Sequence, residues 1–338
     1  MATGNLTRRR WLRTAAGVSL AGCSSVVAQQ RDSAGDLPKK AQIAITLDLE
    51  MSRNFPRRQD THWDYEKGNL DDATKQYAVD AGRRVKNHGG SIHYFCVGRV
   101  LEQPDVSWLN AIADQGHPIG NHTYDHVNLL AATPDELQFR FRRSPWLIEG
   151  RSVAEVIREN IRLTTLALEQ RTGIRNRGFR TPGGFSTGLN GREDLQQLLL
   201  ELGFTWVSSV YPPHANSAPE QKPGDAVLDS IVDAQRSAQP FVYPTGLVEI
   251  PMSPISDIGA FRTGQWKLEW FLDAIRRAVT WAIDHRAVFD FLAHPSCLGV
   301  VDPEFRTIDL ICRLTTQAGN AAEFADLDQI AASAIGSV

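Results

Sequence analysis

The chain has 338 residues, of which 42% are hydrophobic and 22% are charged, and its formal net charge at pH 7 is −3. This length and this apolar content suit one large domain with a buried core. The absence of a basic cluster beyond the N-terminus argues against nucleic acid as a partner. Three of the four cysteines, Cys96, Cys297 and Cys312, show no CxxC spacing, so a disulfide framework is not indicated.

The N-terminus has the parts of a bacterial export signal. An arginine-rich start over residues 8–13 precedes an apolar run over residues 15–21, which is far below the ~20 residues that span a bilayer. The first part resembles a twin-arginine signal, and the sequence LAGC that ends at Cys23 resembles a lipobox. A plain signal peptide and a disordered basic tail are the alternatives.

Three regions are therefore expected. They are an export signal over residues 1–22, a lipidated N-terminus with a flexible tether over residues 23–40, and a catalytic domain over residues 41–338. The mature protein would lie in the periplasm or the cell envelope. It would reach the membrane only through the lipid on Cys23.

From residue 42 onward, apolar β-branched runs alternate with segments of helical periodicity. Strands are expected at about 42–50, 91–98, 117–122, 177–180, 204–210, 247–253 and 287–294. Helices are expected at about 70–88, 105–115, 134–172 with a break near Pro145, 192–202, 265–285 and 303–318. The proline-rich stretch 211–240 is expected to be an irregular loop. The alternation indicates an α/β fold with a parallel sheet, plausibly a (β/α) barrel, in a single domain.

Polar residues suited to a metal hydrolase fall at the ends of several expected strands. Asp48 and Glu50 end the first strand, and Arg180 and His294 end two later ones. The carboxyl ends of the strands of a (β/α) barrel face one mouth, so these side chains are expected to meet there. Asp48 and Glu50 are two residues apart and should point to the same side of their strand.

His122 and His126 follow another strand and are four residues apart. On a helical turn this spacing places both imidazoles on one face, close enough to share a metal. A surface or capping role is the alternative. Two imidazole nitrogens and one carboxylate suit Zn²⁺, and Co²⁺ or another divalent ion could replace it.

Five short segments carry most of these residues. They are TLDLE at 46–50, HTYDH at 122–126, RTPGG at 180–184, FTWVSSVYP at 204–212 and FLAHP at 291–295. In content and order they resemble the motifs of the polysaccharide deacetylase family, also called the NodB-homology or carbohydrate esterase family 4 domain. The resemblance extends from about residue 42 to about residue 326. It implies a distorted (β/α) barrel and metal-assisted hydrolysis of an acetyl group.

The resemblance assigns His122 and His126 to the metal. The family's first motif commonly has two adjacent aspartates, the second of which is a metal ligand, whereas here Leu49 follows Asp48. Some members have an Asp-x-Glu arrangement, and on that pattern Glu50 is the ligand. A barrel that has lost its metal is the alternative.

The resemblance also implies four catalytic roles. Asp48 is the general base that takes a proton from the attacking water. Arg180 orients Asp48 through a charge-assisted bond. The backbone N–H of Gly183 holds the oxyanion, and His294 donates a proton to the departing amine.

Two departures from the family's pattern concern the surroundings of these groups. An acid that normally tunes the general acid is absent at Val207, and Asp290 is the expected substitute. Gly183 also stands where the family usually has an aromatic residue, which should open the site. Four aromatic side chains could stack against sugar rings, with core packing as the alternative for each: Trp63, Tyr65, Trp206 and Tyr211.

The expected activity is removal of N-acetyl groups from the amino sugars of a polysaccharide or oligosaccharide, such as a cell-envelope glycan or a chitin-like polymer. Three alternatives stay open. One is an acetyl esterase or amide hydrolase on the same fold. The second is a non-catalytic glycan-binding lipoprotein, and the third is an uncleaved membrane-anchored scaffold.

Overall fold

The computed structural model describes residues 40–51 and 67–336. The expected export signal, Cys23 and the tether up to residue 39 lie outside these residues, as do Trp63 and Tyr65. Among the described helices, none has the length and apolar character needed to cross a bilayer.

A nine-stranded sheet forms the centre of the described structure. The strands are β1 (Ala41–Leu49), β2 (Ile92–Cys96), β3 (Ile119–Asn121), β4 (Phe179–Phe185), β5 (Trp206–Val210), β6 (Phe241–Val242), β7 (Val248–Glu249), β8 (Val288–Ala293) and β9 (Ala322–Phe324). They are ordered β6-β7-β5-β4-β3-β2-β1-β8, and β9 pairs with the start of β1. The pairs are parallel except for β6 with β7.

Helices connect and cover the strands. They are α1 (Asp72–Asn87), α2 (Ser107–Ala113), α3 (Pro134–Leu137), α4 (Phe139–Arg143), α5 (Val153–Thr172), α6 (Glu193–Glu201), α7 (Asp225–Ser237), α8 (Leu268–Asp284), α9 (Pro295–Val301), α10 (Arg306–Gln317) and α11 (Leu327–Gly336). The sheet curls into an incomplete barrel, so the expected distorted (β/α) barrel in a single domain is confirmed.

The two faces of β1 explain how the sheet positions polar groups. All nine of its residues are buried, as expected for a central parallel strand covered on both sides. Leu47 and Leu49 point outward into the apolar core, which also contains residues of α1, α8 and α10. Thr46 and Asp48 alternate with them, so they point into the barrel, where buried polar side chains collect.

The expectation of an irregular loop over residues 211–240 is wrong in part, because this stretch contains α7. Its last proline before the helix is Pro223, and Gly224 precedes the first helical residue. Leu228, Ile231 and Gln235 are buried at three- to four-residue spacing, which gives the helix an inward face. The prolines lie outside this helix and therefore do not break it.

The expectation for β4 is also wrong in part. The strand runs through Phe185, although TPGGF was expected to be a loop after Arg180. Its pairing with β5 is irregular between Arg180 and Phe185, and Pro182 falls in this interval. A proline cannot donate a ladder hydrogen bond, so it fits a strand at such an irregularity. The irregularity lies next to Gly183, at the mouth of the barrel.

Candidate active site and metal centre

Asp48 and Glu50 come together with His122 at the carboxyl end of β1. Asp48 is the penultimate residue of the strand, and Glu50 follows it directly. His122 Nε2 lies 3.0 Å from Glu50 Oε1 and 3.7 Å from Asp48 Oδ2. All three side chains are almost completely buried. The two carboxylates therefore reach the same imidazole, as their two-residue spacing predicts.

His122 and His126 also lie together, but not on the helical turn that their spacing suggested. They follow β3 in a loop in which Thr123 and His126 both have positive φ angles, 57° and 60°. The Thr123 N–H donates to Asn121 Oδ1, and the Thr123 hydroxyl accepts from the Val127 N–H. These bonds fold the loop back on itself, so the two ring centroids are 5.0 Å apart.

The tautomer of His122 suits metal binding. Its Nδ1 lies 2.9 Å from the Arg180 carbonyl oxygen, to which only a protonated nitrogen can donate. In neutral His122 this leaves the Nε2 lone pair facing Glu50 Oε1 at 3.0 Å. A cation placed beside these two atoms would be attracted by both. Glu50, His122 and His126 are one of the described groups able to hold a metal ion.

The charge states of this group are also appropriate. Burial, reinforced by Lys67, lowers the pKa of His126 to about 4, so its imidazole is neutral near pH 7, as a metal ligand must be. Burial alone would raise the pKa of Glu50. The positive charge of Lys67, with contributions from His126 and His294, instead holds the pKa of this carboxyl well below its usual value.

Lys67 is a member of the site that sequence reasoning missed. Its side chain is 1% exposed, and its ammonium contacts Glu50 Oε2 and lies 3.3 Å from His126 Nε2. No motif or periodicity distinguishes this lysine in the sequence, because it follows no expected strand. The donor set therefore already attracts a cation of this protein itself, and this supports the fit of the three ligands to a metal.

Arg180 binds Asp48 from inside the barrel. Its Nη1 donates to Asp48 Oδ1 at 3.1 Å and to Thr46 Oγ1 at 2.7 Å, and its Nη2 donates to Asp290 Oδ2 at 2.6 Å. Ser208 Oγ lies 3.3 Å from Nε. The guanidinium is completely buried. It is therefore placed where it can orient Asp48.

The carboxylate partner of His294 is Asp257, not Asp290 as expected from the sequence. Asp257 Oδ1 lies 2.9 Å from His294 Nδ1, and its Oδ2 accepts from the His294 backbone N–H at 2.7 Å. Asp290 faces the other way and is held by Arg180. Asp257 follows no strand and precedes a π-helical turn over Ile258–Thr263, so no strand-end pattern indicated it.

His294 is thereby charged and aimed at the acids. Burial alone would lower the pKa of its imidazole, but Asp257 and Glu50 raise it well above the usual value. Its Nε2 lies 3.5 Å from Glu50 Oε1 and 4.0 Å from Asp48 Oδ2. This nitrogen therefore faces both carboxylates.

These side chains border a cavity of about 280 Å³. Its wall includes Asp48, Glu50, Lys67, His126, Thr181, Gly183, Gly184, Tyr211, Met252, Arg262, Leu292 and His294. A Cβ added at Gly183 would meet no atom within 4 Å, so the site is open at this position. Of the described aromatic candidates, Tyr211 lines the cavity, whereas Trp206 is buried in a separate apolar cluster.

Residues 68–207 match the family model described as polysaccharide deacetylase. This part of the chain includes His122, His126, Arg180 and Gly183. Over these residues the chain resembles the polysaccharide deacetylase family.

Known proteins resemble this chain to different extents. A peptidoglycan-N-acetylglucosamine deacetylase of Bacillus cereus is 39% identical over 54 residues, which are 16% of this chain and 19% of that protein. The match thus spans about a fifth of this curated relative.

Two crystal structures share the fold. A protein described as a polysaccharide deacetylase of Mycobacterium smegmatis is 18% identical with a TM-score of 0.58, covering 88% of this chain and 91% of that one. Another, described in the same way, from Pseudomonas aeruginosa is 15% identical with a TM-score of 0.55, covering 86% of this chain and 89% of that one.

The barrel explains the position at which this chain departs from the common first motif of that family. Leu49 is completely buried in the core on the outer face of β1. Glu50, one residue further on, lies against His122 and His126. A carboxylate at position 49 would enter the apolar core instead of reaching these imidazoles.

Replacing Arg180 tests how strongly the fold depends on the buried ion pairs. We expect Arg180→Met to lower the free energy of unfolding by about 3–5 kcal/mol, because Asp48 and Asp290 would stay buried without their counter-ion. Urea unfolding measures this change. As a control, Arg277→Met removes a partly exposed arginine that pairs with Asp225, and it should cost less than about 1 kcal/mol. Equal losses in the two variants would contradict the prediction.

Proposed function

We propose that this chain is a metal-dependent hydrolase that removes N-acetyl groups from the amino sugars of a polysaccharide or oligosaccharide. One observation carries the proposal. Two members of a metal-type donor set, Glu50 and His126, border the same cavity as a carboxylate held by arginine and an imidazole charged by a second carboxylate. Together these groups can activate water, take its proton and protonate the departing amine of an amide.

Glu50, His122 and His126 would hold the metal. A bound divalent ion supplies Lewis-acid polarisation of the acetyl carbonyl and makes water a better nucleophile near neutral pH. Zn²⁺ suits one carboxylate and two imidazoles, and Co²⁺ is a substitute. The hydrogen bond from His122 Nδ1 to the Arg180 carbonyl fixes the orientation of that ring.

Asp48 acts as the general base. Arg180 Nη1 holds its Oδ1, while its Oδ2 faces His122 and His294 at 3.7 and 4.0 Å. The oxygen directed toward the cluster is therefore the one that takes a proton from attacking water. The arginine keeps the carboxylate in one orientation during this transfer.

His294 acts as the general acid. An amine is a poor leaving group as an anion, so the nitrogen of the acetamide must receive a proton as its bond to carbon breaks. Asp257 holds Nδ1, and the raised pKa keeps the imidazole protonated near neutral pH. Nε2 is the atom that delivers the proton. The backbone N–H of Gly183, at the wall of the cavity, would stabilise the oxyanion.

A glycan of the cell envelope is the proposed substrate. The aligned relative in Bacillus cereus is described as acting on N-acetylglucosamine of peptidoglycan, and the N-terminal sequence has the features of an export signal. An enzyme exported and tethered through Cys23 would meet such a glycan outside the cytoplasm.

Export by the twin-arginine route can be tested directly. We expect Arg8→Lys/Arg9→Lys to block export, because a receptor reads the two arginines as an address. The protein would then accumulate in the cytoplasm, as measured by immunoblotting of cell fractions. Arg13→Lys is the matched control and should be exported normally. Unchanged export of the double variant would refute the twin-arginine assignment.

Bound metal and released acetate test the activity together. We expect about one divalent ion per wild-type chain and acetate release from N-acetylated peptidoglycan or chitin oligosaccharides. The His122→Ala/His126→Ala variant should lose the ion and the activity. Asp48→Asn should keep the ion and lose at least about 100-fold in kcat, since only the base is removed.

The substrate panel separates the alternatives. Acetylated xylan should be a poorer substrate than the N-acetylated glycans. An alcohol leaves more easily than an amine, so His294→Ala should reduce ester hydrolysis much less than amide hydrolysis. Release of acetate from xylan alone would favour the esterase. Metal binding without any acetate release would favour a glycan-binding protein.

The pH profile tests the pairing of Asp257 with His294. Asp257 raises the pKa of His294, so the active, protonated imidazole persists to higher pH in the wild type. In Asp257→Asn the negative charge beside the imidazole is removed, so the pKa of His294 falls. The alkaline limb of kcat should therefore move to lower pH by roughly one unit or more. Asp309→Asn, which removes a partner of Arg84 away from the cavity, should leave the profile unchanged. An unshifted alkaline limb in Asp257→Asn would exclude the proposed pairing.

A further inference from the structure

Lys67 carries an inference that rests on the proposed metal site. Its ammonium contacts Glu50 Oε2 and lies 3.3 Å from His126 Nε2. Glu50 and His126 belong to the group of atoms that can hold a metal ion, all within 4.8 Å of one another. A positive charge of the protein itself thus uses two of the three proposed ligands.

A divalent ion and this ammonium are in conflict. Both are attracted by the Glu50 carboxylate, and both are cations that would lie a few ångströms apart in a buried environment, where like charges repel strongly. His126 Nε2 has one lone pair, which can face the ammonium or coordinate a metal. His126 Nε2 therefore cannot satisfy both cations in the arrangement described. Glu50 would have to divide its charge between them, with Oε2 on the ammonium and Oε1 toward the two histidines.

The backbone limits how this conflict can be relieved. The Gly68 N–H donates to the Glu50 carbonyl oxygen, which ties the chain beside Lys67 to the end of β1. This backbone hydrogen bond holds the main chain beside Lys67 in place, whereas the long side chain of Lys67 has several rotatable bonds. Movement of the side chain is therefore the direct way to free Glu50 and His126.

We propose that Lys67 is an internal cation that competes with the divalent ion for Glu50 and His126, and that metal loading displaces its side chain. Without metal, Lys67 compensates the buried Glu50 carboxylate, which would otherwise be costly. With metal, the ion takes over this role. The measured association constant for the metal equals the intrinsic constant multiplied by the fraction of metal-free molecules in which Lys67 is away from the ligands.

Removing the competing charge tests the proposal. We expect full-length Lys67→Met to bind Zn²⁺ at least about tenfold more tightly than the wild type, measured by competition with a chromophoric chelator. Lys267→Met is the matched control, because Lys267 is exposed and lies over Trp270, and its affinity should equal that of the wild type. Equal or weaker binding by Lys67→Met would overturn the proposal.

A second measurement uses the wild type and does not depend on the variant's folding. An amine-reactive reagent should modify Lys67 slowly without metal, since its side chain is 1% exposed, and at least about tenfold faster with saturating Zn²⁺. Lys267 provides the internal reference for reagent access in mass spectrometry. A Lys67 that stays protected with Zn²⁺, or that reacts at the same rate in both states, would overturn the displacement.

The outcomes distinguish this inference from the proposed function. Tight Zn²⁺ binding by Lys67→Met with none by the wild type would support the competition and contradict metal dependence of the natural protein. Equal Zn²⁺ binding by both, with acetate release by the wild type, would remove the competition and leave the hydrolase intact. Absence of Zn²⁺ binding by both would overturn both proposals.

Discussion

The buried guanidinium of Arg180 is the interaction on which the arrangement of the site depends. It crosses the interior of the barrel and joins β1 to β8 through Asp48 and Asp290. The guanidinium carbon Cζ of Arg180 lies 4.4 Å from the centroid of the Phe95 ring. An aromatic side chain therefore packs against one face of the guanidinium and interacts favourably with its charge. A charge buried to this degree is tolerated only when its partners are present, and this requirement fixes Asp48 in one orientation.

A buried charge also needs its partners at the neighbouring metal-type site, where the buried charge is negative. There the buried carboxylate of Glu50 is the central charge, and positive or neutral nitrogens of Lys67, His122 and His126 surround it. The strand parity of β1 supplies both carboxylates, because Asp48 and Glu50 face inward while Leu49 packs in the core. Asp48 near the end of β1 and Glu50 just after it thus compensate charges that come from different parts of the chain.

The sequence predicts those site residues that belong to a local pattern, and it misses those whose partners are far away along the chain. The strand ends and the histidine pair are local patterns, so their convergence at one mouth was predictable from the barrel. The i, i+4 spacing of His122 and His126 indicated that their imidazoles meet as on a helical turn. It does not encode the positive φ angles of Thr123 and His126, through which they meet on a loop. Asp257 and Lys67 were missed because their partners are 37 and 17 residues away, and no periodicity relates them.

Asp290 shows why strand position alone does not assign a role to an acid. It lies on the inward face of β8, as His294 does, and from the sequence it is the nearer carboxylate. Its two oxygens are nevertheless occupied by Arg180 and Thr46, which leaves none for the imidazole. Asp257, which directly precedes the π-helical turn, is the carboxylate that contacts the His294 imidazole. The role of each buried acid therefore follows from its cationic partner, which is Arg180 for Asp290 and His294 for Asp257. For this reason a barrel without an acid at Val207 can still hold its histidine in the protonated state.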